Sequence, residues 1–214
     1  NNIMEMNENI KNTFIENLRK QGIKNKQVLD SMSSISREMF IEPALRMRAY
    51  DQDALPIGHS QTISSPFIVA KMTEEIFEQD NMNKVLEIGT GCGYQTAILA
   101  TLFKKVITVE RIKALHEKSQ KILHELEMKN IKFIHANGFD GYENESPYDA
   151  IILTAAPKKI PDSLTRQLSL NGRMILPLGD DGSQKLFRLK KTRTGINKKD
   201  LDDVRFVPML DGVV

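Results

Sequence analysis

An α/β fold is predicted, with a mostly parallel, doubly wound sheet, an antiparallel edge and helices at the N-terminal end. Three observations carry it. Between residues 84 and 178 short β-forming runs alternate with helix-forming stretches, the pattern of strands joined by crossover helices. Those runs are nearly all apolar, as strands covered on both faces are. The junction Lys84-Val-Leu-Glu-Ile-Gly-Thr-Gly-Cys-Gly-Tyr-Gln-Thr-Ala-Ile-Leu-Ala100 passes from strand to helix through three glycines, where backbone N–H groups and the positive end of a helix face outward.

The 214 residues suffice for one such domain with a substantial core, and a second full domain would be cramped. Residues 9–80 are expected to supply N-terminal helices and a loop, and residues 84–214 the sheet core and C-terminal strands. Charged residues make up 27% and the net charge is +2, too balanced to imply a nucleic-acid or membrane partner. The single cysteine, Cys92, forms neither an internal disulfide nor a CxxC metal site. No secretory leader pattern opens the sequence, and no apolar run approaches the ~18 residues that span a bilayer. A cytoplasmic monomer without metal, membrane or nucleic-acid partner is expected.

In chain order, Ile10, Phe14 and Leu18, then Val28, Leu29 and Met32, then Met39, Phe40 and Leu45 recur at helical spacing. They predict two or three helices broken at Gly22 and Pro43, acting as a lid or packing layer. Residues 53–66 come next, with two prolines, one glycine, three serines and a threonine, and read as a hydroxyl-rich loop. Ser64 or Ser65 caps the next helix, which Pro66 opens and to which Phe67, Ile68, Met72 and Ile76 give an apolar face. Beyond the glycine turn come a strand at 105–109, a helix at 113–128 and strands at 131–135 and 148–154. A helix at about 161–170 then leads, after a break at Asn171-Gly172, to a strand at 173–178. Strand candidates at 184–190 and 204–209 suggest an antiparallel pair closing the sheet edge. The basic run 188–199 reads as a solvated hairpin, because no aromatics interleave with its charges and Asp200, Asp202 and Asp203 come directly after it.

The glycine turn is where a ligand belongs, since open parallel sheets bind beyond the carboxyl ends of their strands. Gly89, Gly91 and Gly93 are spaced GxGxG, unlike the GxGxxG of dinucleotide sites, and Glu87 precedes them inside the strand. A carboxylate there conflicts with a pyrophosphate but accepts from an ammonium, directly or through water, which favours a cofactor with an amino-acid portion. Glu110, at the end of the next strand and 17 residues after Gly93, stands where an acid binds both ribose hydroxyls. Adenosine with an unphosphorylated ribose and an amino-acid tail is S-adenosylmethionine, so the fold is expected to be a Rossmann-like methyltransferase.

The residues after the fourth strand narrow the methyl acceptor. Thr154-Ala-Ala-Pro157 offers neither the amide or acid acceptor nor the ring expected for amine methylation, and no carboxylate cluster for a catechol-binding metal. Cys92 lies in the cofactor loop, so a cytosine-C5 mechanism lacks its nucleophile. There remains an acceptor that is already nucleophilic, such as a carboxylate, ionised at neutral pH with an unperturbed pKa of about 4. Such an acceptor needs positioning and exclusion of water more than a base, and Gln61-Thr62-Ile63-Ser64 supplies hydrogen-bonding groups for that.

Five segments together resemble the protein-L-isoaspartate O-methyltransferases, the protein-L-isoaspartate(D-aspartate) carboxyl methyltransferase family: Leu55-Pro-Ile-Gly-His-Ser-Gln-Thr-Ile-Ser64, Val85-Leu-Glu-Ile-Gly-Thr-Gly-Cys-Gly-Tyr-Gln-Thr-Ala97, Val109-Glu-Arg-Ile112, Tyr148-Asp-Ala-Ile-Ile-Leu-Thr-Ala-Ala-Pro157 and Val204-Arg-Phe-Val-Pro208. The first is the most specific, because the glycine turn is common to many methyltransferases. The resemblance implies methyl transfer from S-adenosylmethionine to the free α-carboxyl of L-isoaspartyl residues in damaged proteins, giving an ester that proceeds through succinimide and leaving S-adenosylhomocysteine. It assigns Ser64 as catalytic and places Gln61, Thr62, Ile63 and Ser64 against the cofactor. Glu87 and the three glycines then surround the methionine portion, Glu110 and Arg111 hold the ribose, and Asn137 and Gly138 meet the adenine. Substrate falls to Ser64, Thr154, Ala155, Ala156 and Pro157. Ser64 is expected to position the carboxylate rather than act as a base, since no His or Lys in the motif activates it.

Two positions depart from the family pattern. Ala136-Asn137-Gly138 replaces a frequent Gly-Asp-Gly, keeping a carbonyl acceptor but losing charge, and Phe67 stands where some members carry His. The alternatives are methylation of another carboxylate or of RNA and, in a different class, a non-catalytic nucleic-acid-binding module using the run 188–199.

Overall fold

The computed structural model describes residues 2–214. Two helices open it, α1 (Asn2–Lys20) and α2 (Lys26–Ser34). Asn25 caps α2 by accepting the Val28 N–H at 3.0 Å, satisfying one of the first-turn donors that a helix leaves unpaired. Phe14, Leu18, Val28, Leu29 and Met32 are buried in one cluster with Tyr94, Ala97 and Ile98. The N-terminal helices thus form a packing layer, because their apolar faces are spent on the helix that leaves the glycine turn. Two 3₁₀ turns, Arg37–Phe40 and Pro43–Arg48, complete the N-terminal segment.

The hydroxyl-rich stretch is more ordered than the loop its composition suggests. It forms a small antiparallel hairpin, β1 (Leu55–Gly58) and β2 (Gln61–Ile63), turning at His59 and Ser60, which both have positive φ. Helix α3 (Pro66–Ile76) is next, and its cap is Ser65, which accepts the Ile68 N–H at 3.4 Å. Ser64 is left for other duties.

The main sheet is built from β3 (Lys84–Ile88), β4 (Lys105–Glu110), β5 (Ile131–His135), β6 (Tyr148–Leu153), β7 (Leu168–Asp180), β8 (Ser183–Thr192) and β9 (Gly195–Val204). Their spatial order is β5-β4-β3-β6-β7-β8-β9. The first five are parallel, with Val85 opposite both Val106 and Ala150. The last two pairings are antiparallel. Helices α4 (Tyr94–Leu102), α5 (Lys113–Glu125) and α6 (Asp162–Gln167) connect the parallel strands. Helix α4 buries Tyr94 through Leu99 without a break, because α2, α3 and the sheet surround it.

Two sequence expectations about the edge are corrected. Asn171-Gly172 does not end an element: β7 runs through it as an irregularity, with register slipping from Tyr148↔Leu168 to Ala150↔Arg173 and Asn171 at φ +65°. The outer partner of β8 is β9, in which Lys190 faces Asn197 and Arg188 faces Lys199, and of the expected 204–209 only Val204 pairs with it, opposite Gln184. The basic run is therefore the edge hairpin itself, and Lys and Asp on an exposed edge strand discourage strand addition. Residues 205–210 leave the sheet edge and cross to the carboxyl ends of the central strands, where Pro208 bridges Ala156.

Candidate active site

Strand order reverses at β3, whose neighbours β4 and β6 lie on either side, and a crevice opens beyond their carboxyl ends. The glycine turn, the ends of β4 and β6 and residues 61–64 all line it. Val69 and Met72 of α3 form part of the floor, and Val207, Pro208, Met209 and Leu210 close the rim.

The turn itself is made by the main chain. The Gly89 N–H donates to the Val109 carbonyl at 2.8 Å, and the Thr154 N–H to the Ile88 carbonyl at 3.0 Å. Gly89 has φ +97°, and a Cβ there would sit 2.3 Å from Thr154 Oγ1, so any other residue is strained at that backbone conformation and must displace the Thr154 hydroxyl. The Gly91 N–H turns toward β4 and donates to Glu110 Oε1 at 2.9 Å. Gly93 stands apart from the cleft: a Cβ on it would meet Leu123 Cδ1 at 3.1 Å and Ser119 Cβ at 3.3 Å, so its role is the close approach of α5.

The two acids differ. Glu110 lines the cleft, and each of its oxygens accepts one backbone N–H, Oε1 from Gly91 and Oε2 from Ile112, both at 2.9 Å. A carboxylate has about four lone-pair sites, so each oxygen keeps one for a ligand. Glu87 is fully buried beneath the turn rather than at the cleft surface. Its Oε1 accepts from Thr96 at 2.5 Å and from Thr108 at 2.7 Å, and Oε2 has no partner among the described residues. Because Thr108 spends its only proton on Glu87, Thr90 must be the donor in the 2.6 Å Thr90–Thr108 bond. Burial raises the Glu87 pKa to about 8, against the pull of the two threonines.

All four residues of 61–64 line the cleft. Ser64 is anchored by its carbonyl, which accepts from Arg37 Nη2 at 2.8 Å, while its hydroxyl has no protein partner among the described residues. Thr154 and Ala155 also line the cleft, with Thr154 Oγ1 donating to the Gly89 carbonyl at 2.6 Å. Ala156 and Pro157 do not reach it. Ala156 is tied to the crossing segment, its N–H donating to Val207 and its carbonyl accepting from Met209, each at 2.8 Å, and the Pro157 carbonyl accepts from Gly179 at 3.2 Å.

On the β4–β5 side, Arg111 and Gly138 line the cleft. Arg111 reaches the carbonyls of Gly212 and Asp211, both at 3.3 Å. Asn137 does not line it, because its amide is occupied locally: Oδ1 accepts the Phe139 N–H at 3.1 Å and Nδ2 donates to Asp211 at 2.5 Å. Cys92 lines the cleft, but burial pushes its thiol up to about 11, so it stays protonated at neutral pH.

Of the residues singled out in the sequence, the cleft thus gathers Gln61, Thr62, Ile63, Ser64, Gly89, Gly91, Glu110, Arg111, Gly138, Thr154 and Ala155, and leaves Glu87, Gly93, Asn137, Ala156 and Pro157 behind its surface. It adds Val207 to Leu210, of which Val207 and Pro208 stand in a quoted motif and Val207 to Met209 were expected in a strand. It also adds Tyr94, Gln95 and Ile112, which lie in the quoted segments without an assigned role, and Val69 and Met72 of the helix that Pro66 opens.

The model of the family described as Protein-L-isoaspartate(D-aspartate) O-methyltransferase matches residues 8–214. A protein of Pseudomonas paraeruginosa named protein-L-isoaspartate O-methyltransferase is 44% identical over 201 residues, covering 94% of this chain and 95% of that protein. One of the same name from Hahella chejuensis is 47% identical over the same shares. Among solved structures, a Plasmodium falciparum protein described as a putative protein-L-isoaspartate O-methyltransferase, in complex with S-adenosyl-L-homocysteine, superposes with a TM-score of 0.79 at 27% identity, over 92% of this chain and 97% of that one. The chain belongs to the protein-L-isoaspartate(D-aspartate) O-methyltransferase family.

Proposed function

We propose that the cleft binds S-adenosylmethionine and that the chain transfers its methyl group to the free α-carboxyl of L-isoaspartyl residues in damaged proteins, giving an ester that then closes to a succinimide. The observation that carries this reading is the meeting of residues 61–64 with the glycine turn and Glu110 around one cleft. The relatives carry this activity in their names, and the Plasmodium falciparum protein was crystallised with the product form of the cofactor.

The residues present fit that group. Glu110, with one free lone-pair site on each oxygen, would hold the ribose diol, and Arg111 flanks it. Gly89 and Gly91 leave room for the methionine portion. Gly138, where a Cβ would stand 2.6 Å from Ile88 Cγ2, lies with Ile112 on the side left for the base. Glu87 acts from below: with its thread of threonines it fixes the end of β3 rather than touching the cofactor. When bound, S-adenosylmethionine supplies a methyl carbon on a positively charged sulfur. A substrate carboxylate oxygen forms the new bond to that carbon as the carbon–sulfur bond breaks, and the sulfur keeps the electron pair. No proton has to move, which suits a Ser64 hydroxyl without a base beside it. Gln61, Thr62, Ile63 and Ser64 flank the cofactor, Ser64 also orients the carboxylate, Thr154 and Ala155 border its approach, and Val207 to Leu210 exclude water.

The cleft is complete within one chain, which supports a monomer, and the shared cluster of N-terminal helices and α4 supports a single domain. No helix among the described residues is long and apolar enough to cross a membrane, and with its lone protonated cysteine the chain suits the cytoplasm. Labelled S-adenosylmethionine with an isoaspartyl peptide is expected to give a base-labile ester, and the aspartyl twin none. Equal labelling of both peptides, or of neither, overturns the reading.

A further inference from the structure

Arg37 is the bulkiest side chain buried completely among the described residues, yet no carboxylate there lies within ion-pair distance of it. A buried guanidinium without a counter-ion is costly, so its hydrogen bonds are what hold it. Nε donates to the Ala49 carbonyl at 2.7 Å and Nη2 to the Ser64 carbonyl at 2.8 Å. The guanidinium carbon stands 4.8 Å from the centre of the Tyr94 ring, and Nη1 has no partner among the described residues. Tyr94 is the first residue of the helix that leaves the glycine turn. One planar cation therefore spans three separate pieces of chain: the end of the second 3₁₀ turn, the acceptor side of the cleft, and the start of α4.

We propose that Arg37 is a positioning residue for methyl transfer: by gripping the Ser64 carbonyl while stacked on Tyr94, it sets the place of Ser64 relative to the glycine turn. This rests on the function proposed above. The fork geometry is essential. A lysine bonds one carbonyl as a point charge, and an apolar residue of similar length fills the space but bonds neither. Ile63 on one side of Ser64 is buried and paired with Leu55, and Ser65 on the other caps α3, but Arg37 supplies the side-chain bond to the Ser64 carbonyl itself. The mechanism acts through the Ser64 backbone, so the Arg37 side chain never has to meet substrate or cofactor.

The test uses the full chain with R37M, R37K and S64A, alone and combined. R37M is expected to lower kcat on an isoaspartyl peptide between about ten- and a hundred-fold, the size of effect that small misplacements produce. The S-adenosylhomocysteine Kd is expected to move by less than about three-fold, because Arg37 lies behind Ser64 and Tyr94 and does not itself line the cleft. R37M combined with S64A is expected to be no slower than S64A alone, a non-additivity that general loss of stability would not produce. Amide exchange at 61–65 is expected to accelerate in R37M. If R37M does not fold, R37K carries the same comparisons. Native turnover in the variant, an additive loss with S64A, or unchanged exchange at 61–65 overturns the proposal. Exchange and S-adenosylhomocysteine binding need no turnover, so a native chain inactive on the peptide would remove the functional reading while still measuring whether Arg37 holds the loop.

Discussion

The glycine turn and residues 61–64 line one cleft, yet they are held by different means. The turn is fixed by main-chain bonds, Gly89 to Val109 and Thr154 to Ile88, and by one neighbouring side chain, the Glu110 carboxylate, which accepts from Gly91. The 61–64 wall belongs to a two-stranded hairpin outside the main sheet and depends on one distant side chain, Arg37, and on Ser65 capping α3 in place of Ser64. A cofactor wall made mostly of backbone tolerates side-chain change except where a glycine or Glu110 must stay. An acceptor wall hung on a few side chains is easily displaced. Binding and transfer are therefore separable by mutation, and each wall can be broken alone.

The largest effect is expected from Gly89→Ala. The positive φ costs an alanine on the order of 1–3 kcal/mol, and its Cβ would collide with Thr154 Oγ1. Isothermal titration with S-adenosylhomocysteine should show affinity falling by about a hundred-fold or more, the thermal midpoint dropping as well. Native-like affinity would mean that the turn is less rigid than its bonds imply. Ser64→Ala comes next, on the acceptor wall. Its kcat on an isoaspartyl peptide should fall by about a hundred-fold with cofactor affinity nearly unchanged, because positioning is lost and no structural bond of that hydroxyl is. A loss confined to cofactor affinity would place Ser64 on the other wall.

A smaller effect tests the acid under the turn. Glu87 has its pKa raised by burial from 4.5 to about 8. Between those values the folded chain binds one proton more than the unfolded chain, so this group's contribution to stability is lost as pH rises through that window. Glu87→Gln keeps an acceptor for Thr96 and Thr108 without an ionisable group, so denaturant midpoints from pH 5 to 8 should fall less steeply than in the native chain. An identical slope would show that Glu87 does not carry the linkage. The smallest effect is expected from Asn137→Asp, which restores the acid frequent in the family but sets it against Asp211. Proteolysis near the C-terminal end should quicken while the S-adenosylmethionine KM changes by less than about three-fold, since the side chain lies outside the cleft. A larger change in KM would bring Asn137 back to the cofactor.

The sequence by itself determined the sheet, its parallel core and the cofactor end. Alternating β-forming and helical runs, a glycine turn and acids at 87 and 110 are local patterns whose consequences come from backbone geometry. It also marked the 61–64 motif, although only as a hydroxyl-rich loop. Tertiary structure alone decided which marked residues share a surface. Glu87 and Glu110 look alike in sequence, but one end of a strand dives under the turn and the other opens on the cleft. Gly93 belongs to the same motif as Gly89 and faces a helix instead. The segment 205–210 was expected within a strand beside β8, yet it crosses to the active site, where Val207 and Met209 bond the backbone of Ala156. Arg37 carries no motif at all, and only folding brings its guanidinium to Ser64 and Tyr94, since a buried cation finds its partners in space and not along the chain.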